Sequence, residues 1–290
     1  MSEQLRGSLR ALSFIKLIRA DRPIGYLLLL WPTLWSLWLA SDGQPKPFLI
    51  IIFTIGVFVM RSAGCVINDI FDKDLDSSVE RTKNRPLVIK SVSKKEAWSI
   101  FFLLILLAFI LVIQLNQEVL LYAVIGLGLT IIYPLFKRFF AAPQMVLGVT
   151  FSWCIPMAYV ASEKTFDPVF YLIWTGTILW IIAYDTFYAM ADKIDDEKVG
   201  IFSTARLFGK HDKLITAIMQ SIVVFLFSYA GVLANMSLSY FLCMTIVACL
   251  FFYQQILIKN REPSACFKAF LINNHVGGVI FVGILSQQLF

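Results

Sequence analysis

The chain has 290 residues, of which 59% are apolar and only 15% charged, with a mean hydropathy of +0.76. Soluble domains run about 45–50% apolar and about 25% charged, so this composition excludes a soluble single-core protein, a disordered chain and a secreted disulfide scaffold. What remains is an all-α, polytopic membrane helix bundle. The formal net charge of +6 needs no nucleic acid, because basic loops facing an anionic leaflet account for it and no nucleic-acid motif is present. The five cysteines, Cys65, Cys154, Cys243, Cys249 and Cys266, are scattered in or beside apolar runs and read as small buried hydrophobes.

In chain order, residues 1–23 form a basic amphipathic segment. Leu5, Leu9, Leu12, Phe14, Ile15 and Ile18 alternate there with Arg6, Arg10, Lys16 and Arg19, the pattern of a helix lying on a membrane surface. A crossing helix needs about 20 mostly apolar residues to span about 30 Å of hydrocarbon. Nine stretches qualify: 24–40, 48–67, 97–115, 119–136, 145–161, 169–189, 214–233, 238–258 and 268–289. The first carries Trp31, Trp35 and Trp38, as expected near an interface. It is too long for the apolar region of a cleaved signal peptide, and no A-x-A site follows it.

The basic residues orient these spans. Counted over alternate connections, 22 Lys and Arg fall on the side of the N-terminal segment and only Lys46 and Lys164 on the other, with Arg61 inside the second span. Such a bias predicts a cytoplasmic N-terminus and a C-terminus on the outer face. The acidic residues are equally lopsided, and they concentrate in two short windows on the same side. Asn68, Asp72 and Asp76 follow the second span at four-residue spacing, with Arg61, Gly64 and Cys65 deeper on the same face. Asp185, Tyr188, Asp192, Asp195 and Asp196 make a matching stripe after the sixth span.

Carboxylates stacked four apart repel one another, so two such stripes call for a cation. Hard oxygen donors without His or thiolate favour Mg2+. Because Mg2+ completes its shell with water and phosphate oxygens, two facing stripes would hold a diphosphate. Arg81, Lys83 and Arg85 after the first stripe, and Lys198 and Arg206 after the second, supply matching positive charge. The four-span separation of the stripes suggests a four-plus-four internal repeat with an appended ninth helix. The whole of 1–290 then reads as a single membrane-embedded domain. Its two long cytoplasmic loops, 68–96 and 190–213, would cover the charged pocket.

The motifs Asn68-Asp69-x-x-Asp72-x-x-x-Asp76 and Tyr184-Asp185-x-x-Tyr188-Ala189-x-x-Asp192-x-x-Asp195-Asp196 resemble those of the UbiA family of intramembrane prenyltransferases. Supporting stretches run nearly end to end: 19–25, 30–35, 61–65, 81–87, 133–138, 152–157 and 266–270. The resemblance implies a nine-helix bundle in the bacterial inner membrane. It also implies Mg2+-dependent transfer of a polyprenyl group from polyprenyl diphosphate to 4-hydroxybenzoate, an early step of ubiquinone synthesis. By the same resemblance, Asn68, Asp72, Asp76, Asp192 and Asp196 would hold Mg2+ and diphosphate. Asp185 and Asp195 would support them, Arg138 would pair with the aromatic carboxylate, and Arg61 and Tyr188 are further candidate contacts to diphosphate or aromatic acid. Where such enzymes carry Pro-Ser-Gly after Arg-Pro-Leu, this chain has Val88-Ile89-Lys90, and Phe202 stands where a Lys is usual.

Two rivals fit less well. A transporter of cations or metabolites should carry charge near the membrane midplane, whereas these acids end at one membrane edge. A CDP-alcohol phosphotransferase expects a DG…AR pattern that the chain lacks. Prenyl transfer to a different aromatic acceptor is the alternative within the same chemistry.

Overall fold

In the computed structural model, residues 3–77 and 82–288 are described, with side chains from Arg10 to Gln287. Arg81, one of the predicted diphosphate contacts, lies outside the described residues, as do the side chains of Leu5, Arg6 and Leu9. The described residues contain helices and no strand. They are α1 (Glu3–Leu17), α2 (Ile24–Ala40), α3 (Pro47–Asp76), α4 (Lys94–Val112), α5 (Gln117–Phe136), α6 (Pro143–Ser152), α7 (Cys154–Ala161), α8 (Pro168–Val199), α9 (Thr204–Phe208), α10 (Asp212–Leu233), α11 (Leu238–Leu257) and α12 (Pro263–Leu285). Eight segments are long and apolar enough to cross a membrane, with α6 and α7 together forming one of them, and the 17-residue α2 is a shorter apolar helix.

Helix ends follow local chemistry. Ser93 and Glu96 form a reciprocal capping box at the start of α4. Asn116 accepts from the Val119 N–H before α5, and Asp167 from the Phe170 N–H before α8. Gly200, at φ 79°, ends α8 in the left-handed conformation. The main departure from expectation lies at the inner ends of the second and sixth spans. No Gly or Pro interrupts residues 68–76 or 190–199, so α3 and α8 run on to Asp76 and Val199. The expected loops 68–96 and 190–213 are therefore shorter than expected, and both acidic stripes are helical. At 1.5 Å per residue, these 30- and 32-residue helices measure about 45 and 48 Å, which exceeds a hydrocarbon layer of about 30 Å.

The core centres on α8, which packs against α6, α10 and α12. Trp35 of α2, Trp180 of α8 and Phe227 of α10 are fully buried, with Trp35 5.2 Å from the Trp180 ring and edge-on to Phe227. Buried polar groups join helices where lipid offers no partner. The Trp180 indole donates to Asn273 of α12 (2.9 Å), the Trp31 indole to Asn274 (2.9 Å), and the Trp35 indole to the Gly277 carbonyl (3.1 Å). On the acidic side of the bundle, Arg261 donates to the buried carboxylate of Asp212 at 2.7–3.1 Å. That hydrogen bonding pushes its guanidinium pKa further above the ordinary value. By contrast α4 and α5 pack mainly on α3 and on α3, α6 and α7 respectively, and turn large apolar side chains such as Phe102, Leu106, Leu121 and Val124 outward. Outward apolar faces of this size are lipid-facing surface in a multi-pass membrane protein.

Gly277 lets α12 approach α2: a Cβ there would sit 2.3 Å from the Trp31 ring. Gly277→Ala is expected to cost about 1–3 kcal/mol by overpacking, read as a lower melting temperature of the detergent-purified protein.

Candidate active site

The protruding ends of α3 and α8 enclose one cavity of about 640 Å³. Its floor of charge comes from the three-to-four periodicity of both helices. Asn68, Asp69, Asp72 and Asp76 of α3 and Asp185, Tyr188, Asp192 and Asp196 of α8 all line it. Asp69, Asp72 and Asp76 are buried, with 1%, 4% and 7% exposure. Carboxylates this deep need compensating cations, and basic residues from other segments provide them. Lys137, just past α5, donates to Asp72 Oδ2 (2.7 Å) and Asn68 Oδ1 (3.2 Å). Arg85 of the α3–α4 connection contacts Asp76 Oδ2 (2.5 Å) and Asp69 Oδ1 (3.1 Å). Arg19, in the turn after α1, donates to both oxygens of Asp69 (2.7 and 3.0 Å).

Two connections are fastened over this end. Thr82 donates to the Asp76 carbonyl (3.0 Å). The Phe202 N–H donates to the Lys137 carbonyl (3.1 Å) and the Thr204 N–H to Gln144 Oε1 (2.9 Å), tying the α8–α9 turn to the α5–α6 turn. The Phe202 ring lies 5.9 Å from the Arg206 guanidinium, which donates to the carbonyls of Ile201 and Asp196. Arg206 is thus committed to its own turn.

Deeper in the bundle the chemistry changes. Arg61 of α3 faces the cavity with its guanidinium 5.3 Å from the Phe151 ring, and its Nε is buried without a hydrogen bond. The hydroxyl of Tyr184 on α8 lines the same cavity and is also buried without a partner. Gly25 makes room for the guanidinium, since a Cβ there would stand 2.5 Å from Arg61 Nη2. A cation and a hydroxyl unsatisfied in a low-dielectric pocket are costly, and an entering carboxylate would satisfy both. Beyond Arg61 the walls are apolar: Phe53 and Val57 of α3, Phe109 and Val112 of α4, Leu120 and Val124 of α5. Asp72 and Phe53 are 19 positions apart on α3, about 28 Å along its axis. Phe109, Leu120 and Val124 line the cavity and are also exposed, so this arm opens sideways between α4 and α5.

Most of the expected site residues share this cavity, but some do not. Arg138 is exposed, donates to the Phe71 carbonyl (2.6 Å) and is absent from the cavity walls. It follows Lys137 directly, and the helical turn that points Lys137 inward points its neighbour out. Asp195 and Lys198 pair with each other at 3.2 Å on the outer side of α8, one position off the Asp192–Asp196 face. Lys83 is exposed and also lies off the walls. Asp69, Lys137, Arg19, Tyr184 and Gln144 were not expected to line the site, yet they do. Asp69 and Tyr184 stand inside the two acidic motifs, and Lys137 carried the other usable signal: a cation beside Arg138 at the cytoplasmic end of a span, on the side where both acidic stripes end.

Mg2+ is compatible with this donor set. Among the described residues no three acidic, His or Cys side chains converge closely enough to hold a metal ion unaided. Mg2+ typically takes one or two carboxylates and fills its shell with water and phosphate oxygens. Asp72 Oδ1 is buried with no hydrogen-bond partner and faces that space.

Known proteins resemble the chain in both sequence and fold. The chain is 47% identical over 288 residues to 4-hydroxybenzoate octaprenyltransferase of Saccharophagus degradans, covering 99% of this chain and 96% of that protein. It is 48% identical over 277 residues to the enzyme of the same name from Psychromonas ingrahamii, covering 96% of each. Among solved structures, a UbiA homolog from Aeropyrum pernix K1 superposes with a TM-score of 0.80 at 24% identity, over 91% of this chain and 98% of that one. A UbiA homolog from Archaeoglobus fulgidus bound to GPP and Mg2+ superposes with a TM-score of 0.73 at 16% identity, over 94% of this chain and 99% of that one. The sequence profile of the UbiA prenyltransferase family matches residues 29–276, and with relatives this similar along nearly its whole length the chain belongs to that family.

Proposed function

We propose that this chain transfers a polyprenyl group from polyprenyl diphosphate to the ring carbon ortho to the hydroxyl of 4-hydroxybenzoate, an early step of ubiquinone synthesis. The observation that carries the reading is the polarity gradient of one cavity: carboxylates and cations at one end, an unpaired guanidinium in the middle, and an apolar arm opening toward lipid. Two relatives named for this acceptor, at 47% and 48% identity, support the choice of aromatic acid. The basic excess supports a charged end at the cytoplasmic face of the bacterial inner membrane, with the C-terminus in the periplasm.

Asn68, Asp72 and Asp76 on one side and Asp192 and Asp196 on the other would hold Mg2+, which supplies charge neutralisation for a departing diphosphate. Lys137 and Arg85, now bonded to Asp72 and Asp76, sit where they can transfer to diphosphate oxygens once those carboxylates are otherwise engaged. Asp185 and Tyr188 flank the same end. The pinned α8–α9 and α3–α4 connections limit water around the allylic carbon, which protects an electrophile from hydrolysis.

In this reading the aromatic carboxylate goes to Arg61 and the Tyr184 hydroxyl, replacing Arg138 in the role first expected of it. Arg61 lies seven residues below Asn68, about 10 Å along α3, so a ring held by its carboxylate there projects its phenol end toward the diphosphate end. The prenyl chain then occupies the arm between α3, α4 and α5, and its remote units extend into the bilayer. Aromatic walls such as Phe151 and Tyr188 present π faces that can stabilise a cation.

Incubating the purified protein with 4-hydroxybenzoate, polyprenyl diphosphate and Mg2+ is expected to give the ring-prenylated acid, with no product in EDTA. Absence of product at every chain length would overturn the reading, and product only with another phenolic acid would redirect it. Asp72→Asn and Asp192→Asn should each remove nearly all turnover while the protein stays folded in the membrane. Arg61→Gln should raise KM for the aromatic acid about tenfold or more, the scale of one charge-assisted hydrogen bond, and leave KM for the prenyl diphosphate nearly unchanged. Arg138→Ala should leave the aromatic KM within about twofold of wild type.

A further inference from the structure

A second concavity, about 330 Å³, lies outside the catalytic cavity, between α1, the α3–α4 connection and the first turn of α4. Arg10 and Ser13 of α1, Lys90, Ser91 and Ser93 of the connection, and Glu96 of α4 line it. Glu96 is committed locally: it accepts from the Ser93 N–H and hydroxyl at 2.8 Å each, and it holds the Arg10 guanidinium on the groove wall. Lys90 is exposed and forms no ion pair among the described residues. Lys94 and Lys95 in the next turn are exposed as well. The groove and its rim therefore carry four cations against one carboxylate.

Lys90 also sits at φ 58°, a left-handed conformation unfavourable to a side chain with a Cβ. The turn that imposes it is closed by the Ser91 and Val92 N–H groups, both donating to the Pro86 carbonyl (3.0 and 3.3 Å). A strained backbone that delivers a cation into a groove suggests a use for that cation.

The surroundings say what kind of partner fits. On α1, Leu17 is fully buried, with Phe14 and Ile18 packed beside it against α3. Leu12 and Ile15 turn away from the protein and are 48% and 41% exposed, and Ile89 next to Lys90 is 56% exposed. On the far side of the groove, Phe102 and Leu103 begin the outward apolar face of α4. The groove thus lies where a lipid-facing helix meets a basic, apolar-studded surface helix, the place a phospholipid headgroup occupies.

We propose that this groove binds the headgroup of an anionic phospholipid, with its acyl chains along the outer face of α4. Arg10 and Lys90 contact the phosphate and Ser91 and Ser93 supply hydroxyls. Arg19 links α1 to Asp69, so an occupied groove also steadies the segment that walls the catalytic cavity. Binding here is independent of the acceptor assigned above.

The test is lipid retention by native mass spectrometry and thermal unfolding of the purified chain in neutral detergent. The added probes are phosphatidylglycerol, phosphatidylcholine or inorganic phosphate. Wild type should retain phosphatidylglycerol over phosphatidylcholine and unfold at a higher temperature with it. Each of Arg10→Gln and Lys90→Gln should lower that preference about fivefold, the effect of one cation at a membrane surface. Lys90→Gly should lose the same preference while unfolding about 2 °C higher than wild type in neutral detergent, because it relieves the backbone strain; this separates a lost site from a misfolded one. Lys210→Gln, outside the groove, should behave as wild type. Variants that keep the wild-type preference, equal retention of phosphatidylcholine, or an equal shift with inorganic phosphate would each overturn the proposal.

Discussion

A stripe of carboxylates four residues apart repels itself, and burying that stripe adds a desolvation cost. The rest of this molecule is arranged around the two stripes that α3 and α8 carry past the edge of the hydrocarbon. Cations arrive from three other segments. Arg19 comes from the turn after α1, Arg85 from the α3–α4 connection and Lys137 from the end of α5. All three pair with carboxylates of α3 and none lies on that helix, so neutralising its stripe also draws the N-terminal segment and two connections over one end of the bundle. A charge problem local to one helix thereby gives the cavity part of its cover.

The same cavity changes character along its length. Charged groups crowd the end beyond the membrane, where water and phosphate can compete for them. A single guanidinium and a phenol sit unpaired halfway down, and mostly apolar side chains follow. Each zone matches the solvent at its depth, so a substrate with an anionic head and a long apolar tail can bind in one orientation. The loose packing of α4 and α5 would be a defect in a soluble core. Here it leaves a side opening onto the phase in which such a tail dissolves.

Much of this was legible before any coordinates. Hydropathy placed the spans to within a few residues, because about 20 apolar residues in a row have few other uses. The four-residue spacing of Asn68, Asp72 and Asp76 implied one helical face, and the same arithmetic held for Asp192 and Asp196. The ends of α3 and α8 were harder, since polar residues past a membrane edge can be loop or helix alike. With no Gly or Pro to interrupt them, they run on as helix and are held by what packs on them, such as Arg85 on Asp76 and Arg206 on the Asp196 carbonyl.

The sequence by itself determined which residues must lie in the membrane, which end of the bundle carries the acids, and the family to which the chain belongs, because composition, periodicity and motif spacing are properties of a chain read locally. The tertiary structure alone decided which cations meet which carboxylates. It turned Lys137 inward and Arg138 outward, set Asp195 against Lys198, and left Arg61 unpaired beside Tyr184. Those outcomes depend on the rotation of each helix about its axis and on contacts between segments far apart in the chain, such as Lys137 with Asn68, 69 residues away. A one-residue shift on a helix turns a side chain by about 100°, and only packing against neighbours sets that angle.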